Sequence, residues 1–319
     1  MRGQSPAHNP GLTLAGQPVR RMRRTHVPWE NAHAPFHLSG SAAGRWKTNM
    51  TGKKQQPALS LLCAGLIGMG TLSVIAQDFA FDWQPVPAFP GRSIVAVVCG
   101  LFMIAVSAGL LYDATRTLAA RALLPFLLIW QCLKVPAVVK VPQIEGVWIG
   151  FGEVGMLLAG GWVVFARLAA LESAPVFGRI TGEAGIRIAQ VLFGLAVIPV
   201  GLGHLVYLQI TTDLVPSWLP FRATLAWLTG AAQIACGLGI AFAIQARRAA
   251  LLESVLVLLF AFLVWGPDTW LATSPKLAGT PPGFRFPLTA FLITWLVGAA
   301  ALLIAQNTPS NTAPPVRRV

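Results

Sequence analysis

The 319-residue chain is 55% hydrophobic and only 11% charged, with a mean hydropathy of +0.64. A soluble domain carries about 25% charged residues, and no soluble core of this size has room for so much apolar surface, so lipid is the solvent this composition fits. The net charge of +13 does not make a nucleic-acid binder, because the basic residues are divided between a polar N-terminal stretch and short loops, with no basic face carrying interleaved aromatics.

Residues 1–49 hold seven lysines and arginines against the single acid Glu30, together with four of the five histidines, His8, His26, His33 and His37. They lack an apolar run of signal-peptide length, and the irregular histidine spacing is no metal-ligand pattern. Residues 1–57 are expected to be a disordered basic tail on the cytoplasmic side. Met22 and Met50 are candidate translation starts, since Met50 opens MTGKKQQPALSLL, a short basic lead into an apolar run.

A spanning helix needs about 20 mainly apolar residues, because lipid offers the backbone no partner outside the helix. Runs that satisfy this lie near 58–77, 93–112, 118–138, 147–167, 186–210, 222–244, 249–266 and 286–305, each break carrying charges, prolines or both. Eight spans put both termini on one side. With the N-terminus inside, eleven lysines and arginines beyond residue 49 fall in inner loops and ends and six in outer ones. That bias predicts cytoplasmic termini. Trp83, Trp130, Trp148, Trp218, Trp265 and Trp270 fall at outer helix ends, where indoles are expected to form an aromatic belt. Cys63, Cys99, Cys132 and Cys236 form no CxxC and read as small buried hydrophobes; similar depths leave a Cys99–Cys132 disulfide open.

Shifting the chain against itself by 130–131 residues reveals an internal repeat. GLFMIAVSAGLLY (100–112) falls on GAAQIACGLGIAF (230–242), matching Gly100 to Gly230, Ile104 to Ile234, Ala105 to Ala235 and Gly109 to Gly239. Pro90 meets Pro220 at the same offset, and Arg116 meets Arg247 one residue further on. The expected fold is therefore all-α: a polytopic membrane protein with two four-helix bundles, residues 58–168 and 186–306, joined by a linker over 169–185 and followed by a disordered tail over 307–319. An even number of spans per half makes this a parallel repeat about an axis along the membrane normal.

The second half carries GLGHLVYLQITTDLVPSWLPF (201–221), then TGAAQIACGLGIAF, then ARRAALL. With His204, Val215-Pro216, Leu219-Pro220, Gly230, Gly237 and Arg247-Arg248, it resembles the DoxX-like family of four-helix bacterial membrane proteins. The first half matches more loosely, through Pro87, Pro90, Gly100, Arg116 and VWIGFGEVGMLLAGGW. The resemblance implies a bacterial plasma-membrane protein, and among some relatives a membrane subunit of quinone-linked sulfur or thiol oxidation. Quinone and partner redox subunits enter only through this resemblance. The family's second helix often carries an acid where this chain has Gln233 in one half and Met103 in the other, and the first half has no counterpart of His204.

Ionisable groups inside hydrocarbon are costly and call for a partner or a task. Lys134, near the outer end of the third span, and Glu153, two turns into the fourth, are expected at similar depth, where an ion pair, a snorkelling lysine and a proton or substrate role for Glu153 are the readings open. His204 is the only histidine of the membrane part, which excludes a haem held by two histidines of one such domain. It is either hydrogen-bonded to a neighbouring helix or a partner to a quinone headgroup, with Gln233 on the facing helix. Asp78, Asp82, Asp213 and Asp268 read as solvated boundary acids. The chain has no P-loop, GxGxxG, HExxH or nucleophile elbow, so no complete catalytic constellation is found and no metal site is evident. Three functions follow: an accessory subunit of a quinone-linked redox system, a permease or lipid-handling protein using the cleft between the halves, or a membrane scaffold.

Overall fold

The computed structural model describes residues 56–80, 83–174, 177–271 and 283–308. The basic tail, the candidate starts, Asp82 and the C-terminal tail from residue 309 lie outside the described residues. Eight helices are long and apolar enough to cross a membrane, and Asn49–Val319 forms one compact unit. In chain order the helices are α1 (Gln56–Ala76), α2 (Arg92–Leu111), α3 (Arg116–Lys140), α4 (Glu145–Leu168), α5 (Gly182–Val206), α6 (Leu208–Leu214), α7 (Arg222–Ala241), α8 (Ala246–Phe260), α9 (Gly266–Trp270) and α10 (Arg285–Asn307). A π-helical turn, Ala261–Trp265, joins α8 to α9, so these three form one continuous span. The expected span 186–210 is instead cut at Tyr207, where α5 stops and the short α6 begins. The α1–α2, α3–α4, α5–α7 and α9–α10 connections share one side, here termed the loop face.

Consecutive spans pack on one another from α1 round to α10, and α10 packs back on α1, closing a ring. Across its middle α4 packs on α10. A β-carbon on Gly160 would stand 2.7 Å from the Ala300 β-carbon, so only the small residue allows this approach. These two helices are the most enclosed, with 78% and 67% of their apolar stretch buried against 50% or less in the other six. The ring is thus divided into two lobes, α10-α1-α2-α3-α4 and α4-α5-α7-α8-α10. Each half is completed by the last span of the other. No periodicity argument revealed that sharing.

Matching positions 130–131 residues apart make matching contacts. A β-carbon on Gly70 would lie 2.5 Å from the Gly100 carbonyl oxygen, and one on Gly100 2.6 Å from that of Gly70. Gly201 and Gly230 repeat this reciprocal approach at 2.8 Å each way. Further along, Gly109 faces the Ala119 β-carbon at 3.0 Å and Gly239 faces that of Ala249 at 3.2 Å. The residue before α2, Gly91, and the one before α7, Phe221, are both left-handed, with φ 83 and 53. Arg92 then donates from Nε to the Val86 carbonyl at 3.2 Å, and Arg222 to that of Val215 at 2.8 Å.

The two lobes differ in filling. In the first, the α1–α2 connection folds inward: Trp83 is fully buried and stacks on Trp130, ring centroids 6.3 Å apart, and Phe79 meets Trp130 edge-on at 5.6 Å. Trp83 and Trp130 are therefore core residues, against the expectation of a belt; Trp218 and Trp270, 70% and 89% exposed, remain on the surface. Asp78 is likewise no merely solvated acid, since it pairs with Arg92 and, at 2.7 Å, with Arg285 at the start of α10. All four cysteines are free, so the open disulfide does not form.

Two predictions follow from this packing. Gly100→Ala and Gly230→Ala force a methyl group against a carbonyl or a side chain, and each is expected to destabilise by about 1–3 kcal/mol, read as a lower melting temperature of the purified protein. Gly146→Ala, whose β-carbon would meet its nearest atom at an ordinary 3.5 Å, is expected to leave melting unchanged; equal losses in all three would contradict the packing argument. The second concerns acid. Burial pushes the Asp78 carboxyl up, but hydrogen bonds from Arg285, the Phe79 N–H and Arg92 outweigh it and hold the group below its ordinary 3.8. A depressed folded-state value stabilises above the unfolded value and is lost as pH falls through the folded one. The melting temperature of the native chain is therefore expected to fall below pH 3.8 more steeply than that of Asp78→Asn, which starts lower at neutral pH. Parallel curves would remove the assigned role.

Candidate functional site

Among the described residues the second lobe has no counterpart of the first lobe's tryptophan plug. At the repeat offset Trp130 corresponds to Ala261, a buried alanine at the start of the π-helical turn. A cavity of about 460 Å³ remains, walled by α4, α5, α6, α7, α8 with its π-helical turn, and α10. That volume lies within the range of small-molecule sites, and π-helical turns inside α-helices recur at functional sites.

Three of the four residues singled out in the sequence meet on this wall: Glu153 from α4, His204 from α5 and Gln233 from α7. Tyr207, Thr211 and Thr294 add hydroxyls, and no lysine or arginine is among the described lining residues. The remainder is chiefly apolar, including Met156, Val257, Phe260 and Trp265. Gln233 lies eleven residues into α7, about 17 Å along the axis, so the cavity reaches roughly the middle of a 30 Å hydrocarbon core.

His204 stands where the close glycine contact brings α5 and α7 together, since a β-carbon on Gly230 would lie 2.7 Å from the His204 β-carbon. Its Nδ1 lies 2.9 Å from the Val200 carbonyl oxygen one turn back. A carbonyl only accepts, so Nδ1 carries the proton and Nε2 is the nitrogen left to serve the cavity. The Phe260 ring meets the imidazole edge-on, centroids 5.5 Å apart, which fixes its plane.

Gln233 sits one helical turn beyond Gly230. Its Nε2 donates to Glu253 Oε1 at 3.4 Å, while its own Oε1 has no hydrogen-bond partner although the residue is only 5% exposed. Glu253, from α8, is fully buried behind the cavity wall, and its second oxygen is also unpartnered. Cys236 lies within hydrogen-bond reach of the same carboxyl. Ser254 next to it donates to the Gly298 carbonyl at 2.8 Å and so ties α8 to α10.

Glu253 escaped the sequence reading. It follows ARRAALL by one residue, where an acid reads as part of a basic-acidic boundary. The available signal was its position four residues beyond the start of the expected span 249–266. Lys134 is the member not on the cavity wall. It is buried on α3, with Nζ 2.7 Å from where a β-carbon of Gly150 would stand, so it rests against α4 one turn before Glu153. A separate groove of about 610 Å³ between α4 and α5 contains Glu145 and Trp148 and none of the four.

Among the described residues no cluster of three or more His, Cys, Asp or Glu side chains is placed to hold a metal ion. What the cavity offers is hydrogen bonding inside an apolar enclosure: a ring nitrogen, an amide oxygen, hydroxyls and a carboxyl facing a small ligand. No protein-family model, curated protein or solved structure matches this chain.

Proposed function

We propose that the chain is a DoxX-like bacterial plasma-membrane protein, with both termini cytoplasmic, that holds a quinone-type headgroup in its second lobe as the accessory subunit of a quinone-linked redox system. The observation that carries this reading is the meeting of His204, Gln233 and Glu153 on one largely apolar cavity wall within the membrane-spanning part. A quinone-type ligand needs that combination, an apolar enclosure for the ring and a few polar groups for its oxygens. Matching contacts at Gly70–Gly100 and Gly201–Gly230 support an internal repeat, with the second copy emptied for a ligand. The chain's own residues bind, orient and exclude water; the electron donor belongs to a partner subunit.

A second reading, a permease or lipid-handling protein, is favoured by one feature: α4 of the first half walls the cavity together with α5, α7 and α8 of the second. A solute passing between the halves would touch Glu153.

The test uses the full-length protein in lipid nanodiscs and a decyl-substituted benzoquinone, followed by tryptophan fluorescence, since Trp265 lines the cavity. Saturable quenching is expected, weakened about tenfold in His204→Ala, the contribution of one buried hydrogen bond. Quenching no greater than in protein-free nanodiscs of added tryptophan, or untouched by His204→Ala, would overturn the quinone reading. Solute uptake into proteoliposomes abolished by Glu153→Gln would establish the permease instead.

A further inference from the structure

Resting on the quinone-site reading, the hydrogen-bond inventory assigns the redox form of the ligand. We infer that the cavity is built for the reduced, dihydroxy form, a benzoquinol, rather than for the quinone. A quinone ring presents two carbonyl oxygens, which only accept hydrogen bonds. A quinol presents two hydroxyl groups, which donate.

Two polar groups of the wall are acceptors, while the Thr211 and Thr294 hydroxyls donate to the Tyr207 and Ala290 carbonyls. With Nδ1–H given to the Val200 carbonyl at 2.9 Å, a neutral His204 ring turns a lone pair outward at Nε2. With its amide nitrogen given to Glu253 Oε1 at 3.4 Å, Gln233 is left with Oε1, a buried oxygen that has no partner. A buried acceptor without a partner is costly, so this oxygen marks where a donor is expected to arrive. His204 packs on Gly230, three residues before Gln233. The two side chains therefore leave their helices about one turn apart in depth, on the same cavity wall. Glu253 is the positioning residue: its Oε1, behind the wall, accepts from the amide nitrogen and so leaves the amide oxygen to the cavity.

The counterpart of Gln233 in the first half is Met103, and that of His204 is Ser73. Ser73 is buried with an unpartnered hydroxyl oxygen, yet its lobe is plugged by Trp83. The second lobe's cavity joins two acceptors from facing helices with room for a ring.

The experiment compares the decyl-substituted benzoquinol, kept reduced under argon, with its quinone, on the full-length protein in nanodiscs by equilibrium dialysis. The quinol is expected to bind about tenfold more tightly. Gln233→Met is expected to lose that preference while keeping measurable binding of the quinone. Glu253→Gln, which lets the neighbouring amide turn over, is expected to narrow the preference to about threefold or less. Should Gln233→Met fail to fold, Glu253→Gln carries the test. Equal or tighter binding of the quinone by the native chain overturns this inference and leaves the site standing. Binding of neither form overturns the site as well.

Discussion

The close approach of α4 and α10 at Gly160 and Ala300 is the contact on which the rest of the molecule is built. In lipid there is no hydrophobic force to drive helices together, so association depends on packing and on polar groups that find partners across an interface. Small residues at this crossing let two backbones come near enough for each helix to serve as wall for both lobes. A large side chain at Gly160 would part the pair and open both cores together. The enclosure of α4 and α10, greater than that of any other span, follows from this double duty.

Much of the architecture was legible in the chain. Span number follows from hydrophobic run length, because hydrocarbon permits no other backbone solution than a helix in a chain of this kind. Gly100 and Gly230 align at an offset of 130, and the structure adds their partners Gly70 and Gly201 at 131, since a glycine retained at a crossing keeps its neighbour's carbonyl close. The sharing of α4 and α10 was not legible, because hydropathy records how apolar a segment is and not which apolar neighbour it meets. For the same reason Trp83 and Trp130 looked like interface anchors. An indole near a span end has the same sequence signature whether it faces headgroups or folds back into a core.

The candidate site was half legible. His204, Gln233 and Glu153 stand out as polar residues in apolar runs, and they do converge. Lys134 belongs to the same class by sequence but packs against Gly150, one turn before Glu153 on α4, and is not among the residues lining the cavity. Glu253 was hidden by its basic neighbours, yet it orients the one amide that faces the cavity. The lobes thus carry similar frameworks and different interiors: one is closed by aromatic rings, the other keeps a chamber with hydrogen-bonding walls.

Asp78 ties the α1–α2 connection to Arg92 and also to Arg285 at the first residue of α10. That ionic clasp spans the two halves on the first lobe's side. On the second lobe's side, Arg222 bonds to the carbonyls of Asp213 and Val215, both within its own connection. The plugged lobe is latched across the halves by charge, whereas the connection above the chamber meets the first half through a neutral bond, the Gly146 N–H donating to the Tyr207 hydroxyl at 3.1 Å.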